Sequence, residues 1–364
     1  MKNGQVFPVP ISFLIRFAWL PVLTPLIVAL IANRPVATAV SFGTLEENAW
    51  AANVGYWSSV PSPADSDLYA VTMVSAHDGW AMGRNGIILH WNGDTWQEVD
   101  SPTTASLSSV SMVSADNGWA LGSDGTVLHW DGDSWYIWGN VPAEYYCLMS
   151  MAMVSANDGW AVAVWGGPSA FSSAGSIFHW DGVSWEGQGM PYNLYSVAMV
   201  SPDDGWIGGE QYVEASPSRP VLLHWNGIAW QRDTSLSPDI SADIRAIAML
   251  STDDGWAVGW GIILHWNGES WECVAELPGS ILSSVDMASA SDGWAVGWND
   301  NAMIMHWNGV SWQPVTSPTS SPLYSVAMVS DNDGWAVGQG GTILHYWVSI
   351  ERMYLPLVRR DSGP

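Results

Sequence analysis

The chain has 364 residues, 48% apolar and 12% charged, with 27 tryptophans, 36 glycines and a net charge of −25. Its one lysine is Lys2, so the charged helical surface of an ordinary enzyme is missing and long helices are excluded. Such acidity repels phosphate backbones and anionic lipid, which argues against nucleic acid as a partner; it keeps a tryptophan-rich surface soluble instead.

Residues 1–39 hold no acid, and their only charges are Lys2, Arg16 and Arg34. An apolar run from Phe17 to Ala32 follows Arg16, and Ala37-Thr38-Ala39 has the small-x-small pattern of a signal-peptidase site. This reads as a secretory signal over 1–39, which places the remainder outside the cytoplasm, secreted or at the cell surface. A retained anchor is the alternative, because the run approaches spanning length, although Pro21 and Pro25 interrupt it. After cleavage no stable membrane insertion is expected. Residues 1–39 carry three of the ten basic residues and none of the 35 acids, so their loss takes the net charge from −25 to about −28. Residues 40–52 read as a linker.

From residue 53 to 347 one unit recurs seven times, close to Leu-x-Ser-Val-x-Met-Val-Ser-x-x-Asp-Gly-Trp-Ala-Val-Gly, then Ile-Leu-His-Trp-Asn-Gly-x-Ser-Trp. Its anchors Trp80, Trp119, Trp160, Trp206, Trp256, Trp294 and Trp335 lie 38 to 50 residues apart. That interval suits a four-stranded propeller blade of about 40–45 residues. Strand a precedes the Asp-Gly turn, strand b follows it, strand c is Ile-Leu-His-Trp and strand d starts at the last tryptophan. The expected fold is therefore all-β: a seven-bladed propeller of four-stranded antiparallel blades. The last unit lacks a strand d, and residues 55–63 match one, so an N-terminal strand is expected to close the final blade. Residues 348–364 form a C-terminal tail.

Asn92-Gly93 and its equivalents read as two-residue hairpin turns. Leu89 then faces Trp96 and His90 faces Thr95, with Leu89, Trp91 and Trp96 on one face. Seven histidines, His90, His129, His179, His224, His265, His306 and His345, share one repeat position. One ligand per blade cannot converge on a metal, so no metal or other cofactor is expected; the imidazoles facing Thr95, Ser134, Ser184, Ser270 and Ser311 are expected to pair with those hydroxyls, with Ala229 and Tyr56 as the exceptions. The recurring methionines read as core filler and the Asp-Gly acids as turn formers. Cys147 and Cys273 fall in different units at different places, and two free thiols are expected.

The unit seen from Trp256 to Trp271 resembles repeats of the BNR and photosystem II assembly-factor class of WD40/YVTN-like propellers, over residues 53–347. The c–d hairpin is similar to the Asp-box of sialidases, with a shorter loop and His in place of the leading Ser. The resemblance implies fold, with assembly or recognition work among the better-known relatives. The tail Met353 to Arg360 is similar to endings of some exported bacterial proteins.

Departures from the repeat carry the functional reading. Insertions at 138–147, 164–175, 209–219 and 233–244 all fall in b–c or d–a connections, which share one face of a propeller. Trp138, Tyr145, Tyr146, Trp165, Phe171, Tyr212, Trp260 and Trp298 collect there with Arg84, Arg219 and Arg245. Aromatics on solvated loops mark binding surfaces, unless the loops fold over and bury them. The expected function is a non-catalytic extracytoplasmic binding or scaffold module, a monomer recognising carbohydrate or protein through this rim. One alternative is an assembly factor for an envelope complex. Another is a sialidase-like or other glycoside hydrolase, which would need the three arginines to converge, or two of the acids Glu144, Glu210, Glu214, Asp239 and Asp243 to pair.

Overall fold

Short apolar or alternating runs bounded by turn residues give each unit four short antiparallel strands. In the first repeat these are a (Leu68–Ser75), b (Asp78–Gly83), c (Ile88–Trp91) and d (Trp96–Val99). The computed structural model describes residues 52–141, 146–165, 174–213 and 216–351. The leader and nearly all of the linker read at 1–52 lie outside these residues, as does most of the tail. No helix among them is long and apolar enough to cross a membrane.

The expectation of seven blades is corrected by the hydrogen bonding. The described strands form six sheets, five of four strands and one of six. Counted by sheets, the propeller has six blades, one of which carries two repeats. Trp256 and Trp294 are the two most closely spaced anchors, and a continuous strand joins their units. Strand Asp254–Trp266 runs through its own b–c junction at Gly261 (φ +70°), and strand Trp271–Ser289 joins d of one repeat to a of the next. Ile281 pairs with both Trp260 and Trp298, which welds the two repeats into one sheet. Strand Ala52–Ser59 pairs with Ile343–Glu351, Tyr56 opposite Trp347, and completes the sheet of the last repeat.

The c–d turn also differs from expectation. Trp91 pairs with Trp96, so the loop has four residues, not two. Only Gly93 has positive φ, while the Asn92 side chain accepts the Asp94 and Thr95 N–H groups at 3.0 and 2.9 Å. The shift of two residues is even, so Leu89, Trp91 and Trp96 still share a face, but His90 now faces Gln97. Its partner is the carboxylate of the Asp-Gly turn instead: His90 Nε2 donates to Asp78 Oδ1 at 2.8 Å. Five further repeats form the same pair at 2.7–2.9 Å, from His179–Asp158 to His345–Asp333. In the second repeat Asn117 replaces the acid, and burial holds His129 below the usual imidazole range.

Each of these imidazoles lies against the strand-b tryptophan of its own repeat, with centroids 4.1–4.5 Å apart, stacked in five repeats and tilted at His129 and His265. The other side of that indole receives aromatics from the next repeat. Trp80, for example, meets Trp130 at 4.7 Å and Trp135 edge-on at 5.4 Å. Edge-on contacts of 79–87° recur at every junction except after Trp119, where Trp138 takes that place at 69°. The fused repeats are stacked in the same way through Trp256 and Trp312. The recurring Asp-Gly glycine packs on the methionine of strand a, and a Cβ there would overlap the sulfur.

Serines sew the inner strands together. Ser109, Ser150, Ser196, Ser284 and Ser325 each accept a backbone N–H from the next repeat at 3.0–3.3 Å, Ser325 from Val71 of the first. Asp286 adds a similar bond to Met328 N at 2.7 Å. Four repeats place alanine there, at Ala152, Ala198, Ala248 and Ala327. Burial pushes the Asp286 carboxyl up to about 6, against the pull of the Met328 and Met287 N–H donors.

A carboxyl raised above its unfolded value of about 3.9 costs no stability while protonated in both states, a growing amount as pH rises from about 4 to about 6, and a constant amount above that. Parent and Asp286→Ala stabilities should therefore diverge between about pH 4 and pH 7, the parent losing up to about 3 kcal/mol relative to the variant. Water reaching this half-buried side chain brings the figure down. Denaturant titrations at both pH values measure it; a difference independent of pH would show an ordinary carboxylate.

Candidate functional site

Leu68 pairs with Gly83, so the start of each strand a lies beside the end of strand b, and the d–a and b–c connections share one face. On this face a funnel of about 680 Å³ opens on the propeller axis. Every repeat contributes the residue that follows the buried Leu or Ile of strand a: Tyr69, Ser108, Met149, Tyr195, Arg245, Ser283 and Tyr324. That position varies freely, whereas its neighbours repeat almost unchanged.

Two groups of side chains line the funnel. In the first, Arg84 pairs with Asp67 at 3.2 Å and donates through Nε to the Tyr69 hydroxyl at 3.2 Å. Tyr69 lies 5.7 Å from Tyr324, and Trp298 stands edge-on to Tyr324 at 5.8 Å. The bond to Tyr69, then the charge of Asp67, raise the Arg84 pKa further; burial and Asp67 raise that of Tyr324.

In the second group Arg245 grips the buried Asp243 through Nε at 3.0 Å and Nη2 at 2.9 Å. It lies over the Tyr195 ring at 5.9 Å. The Tyr195 hydroxyl donates to Glu210 Oε1 at 2.6 Å, and burial followed by this bond drives the phenol pKa far up. Burial works against ionisation of Glu210, but bonds from Tyr195, Ser218 and Asn193 outweigh it and hold the carboxyl below its usual range.

The residues expected at the rim part company here. Arg84, Arg245 and Trp298 meet in the funnel. Arg219 lines a separate cavity of about 410 Å³ with Arg232, so the three arginines do not converge. Trp260, 57% exposed, borders a third cavity. Trp138 turns inward between Trp119 and Trp180. Trp165 and Tyr212 are half-buried at strand ends, and Tyr146 opens a strand opposite Trp165. Tyr145, Phe171, Glu144 and Glu214 lie outside the described residues. Tyr69, Tyr195 and Tyr324 were missed; the variable place after the buried Leu or Ile of strand a was the signal that marks them.

Chemically the funnel offers aromatic faces and guanidinium N–H groups already half-neutralised by acids. The phenol beside Glu210 stays protonated, and no cluster of metal-binding side chains occurs among the described residues. Cys147 and Cys273 are free and exposed, and neither lines the funnel.

No family model and no curated protein sequence matches the chain. Solved structures do. A structure of YCF48 bound to D1 peptide is 18% identical, with a TM-score of 0.60, over 80% of this chain and 95% of that one. YCF48 from Cyanidioschyzon merolae is 17% identical, TM-score 0.60, over 80% and 98%. The WD40 β-propeller domain of Doa1 is 16% identical, TM-score 0.59, over 81% and 96%. Likeness at such identities shows the propeller fold.

Proposed function

We propose that this chain is a non-catalytic binding propeller which seats a segment of a partner protein in the axial funnel, outside the cytoplasm. The observation that carries this is the funnel lining: all seven repeats contribute a residue, and the contributing position varies where its neighbours do not. A repeat that keeps its packing residues and varies at the place facing the axis has the layout of a recognition surface on a rigid scaffold. A propeller of the same fold solved with a peptide bound supports a protein partner over a carbohydrate. The apolar leader at 1–39 supports export.

Peptides selected from a displayed random library against the full chain test the reading. Tyr195→Ala and Tyr324→Ala should each weaken a selected peptide by about tenfold or more, as truncation of central aromatic anchors does. Val183→Ala, on an exposed c–d turn of the opposite face, should leave it unchanged. Peptides indifferent to both tyrosines would place recognition elsewhere. Turnover of fluorogenic sialosides or other glycosides, lost in Arg84→Ala, would overturn the non-catalytic reading.

A further inference from the structure

Trp260 is an indole held out into solvent on a rigid frame. It is 57% exposed, yet it lies on strand Asp254–Trp266, pairs with Ile281 at the weld between two repeats, and donates its backbone N–H to Asp243 Oδ1 at 2.8 Å. Asp243 is itself buried and gripped by Arg245. The exposure is therefore built in and does not come from a loose loop.

The ring borders a cavity of about 570 Å³, whose only charged lining residues among the described ones are Asp239 and Glu276. Both carboxylates are exposed, and neither is ion-paired among the described residues. Among the described residues no arginine or lysine lines the cavity; Arg219 borders the separate one that also touches Pro238 and Ile240. Ser218 and Ser241 add hydroxyls. An aromatic face in a cavity lined by two carboxylates without an ion pair attracts a planar cation, which stacks on the indole and directs its N–H groups to the acids. The chain's net charge of −25 reinforces that attraction at longer range.

We infer that the Trp260 cavity is a binding site, separate from the funnel, for an arginine side chain of a partner protein. The site follows from the rigid indole and the sign of the charges round it, and does not depend on the funnel reading.

The test follows the Trp260 resonance in fluorotryptophan-labelled full-length protein, assigned by its loss in Trp260→Ala. A short blocked peptide with one arginine should shift the signal in a saturable way, and the same peptide with citrulline should not. The double variant Asp239→Asn, Glu276→Gln should bind the arginine peptide roughly fivefold more weakly. Tyr324→Ala in the funnel should leave the titration unchanged. Equal shifts with arginine and citrulline, no shift with either, or a shift with neutral oligosaccharides in place of the arginine peptide would each overturn the assignment.

Discussion

Trp335→Ala should lower the unfolding free energy by roughly 3–5 kcal/mol, a large part of the 5–15 kcal/mol typical of a folded domain. The indole is 1% exposed and stands at the junction of the last and first repeats. His345 stacks on one side at 4.1 Å and 12°, while Trp91 and Trp96 of the first repeat approach at 4.6 and 5.3 Å. Removing the ring leaves a cavity where four aromatic groups met, and neighbours held by serine-stapled inner strands cannot collapse into it. Urea unfolding followed by tryptophan fluorescence measures the loss. Trp260→Ala, on an exposed ring, is the control and should change stability by less than about 1 kcal/mol. A buried variant as mild as the control would show that the stacks do not hold the ring together.

A chain beginning at residue 60 should fail to form a compact monomer, whereas one beginning at residue 50 should fold. The first lacks strand Ala52–Ser59, which pairs along its whole length with Ile343–Glu351. It also lacks Trp57, 5% exposed and edge-on to Trp294 at 5.3 Å and 84°. Loss of that ring alone costs about 3–5 kcal/mol. The strand Ile343-Leu344-His345-Tyr346-Trp347-Val348 is then left as an unpaired apolar edge, a template for association between chains. Size-exclusion chromatography and near-ultraviolet circular dichroism of the two truncations decide it. A monomeric, native-like chain from residue 60 would mean that the N-terminal strand is dispensable.

Particular residues show what was readable in advance. The faces of the c–d hairpin were, because alternation survives an even change of register; the pairing of His90 was not, because Asn-Gly serves two-residue and four-residue turns alike. The Asn92 side chain, accepting two backbone N–H groups, sets the longer turn. Trp138 looked like a rim residue because it lies outside the repeat, but a buried strand-b indole offered a better partner than water did. Arg84, Arg245 and Trp298 were legible as one region, and the funnel unites them. The tyrosines beside them were overlooked because they sit in strands, where large apolar rings are usually core.

What the sequence determined by itself was the local grammar: period-two strands, Asp-Gly and Asn-Gly turns, one histidine and three large aromatics per unit. Such features depend on residues a few places apart, where spacing is a fair measure of distance. The tertiary structure decided the number of sheets, the carboxylate partner of six of the seven repeat histidines, and which variable residues surround the axis. Those outcomes depend on contacts between residues from about a dozen to nearly 300 places apart, such as Ile281 with both Trp260 and Trp298, or Ser58 with His345. Closing a ring makes each repeat's position depend on all the others, and no single stretch of chain records that sum.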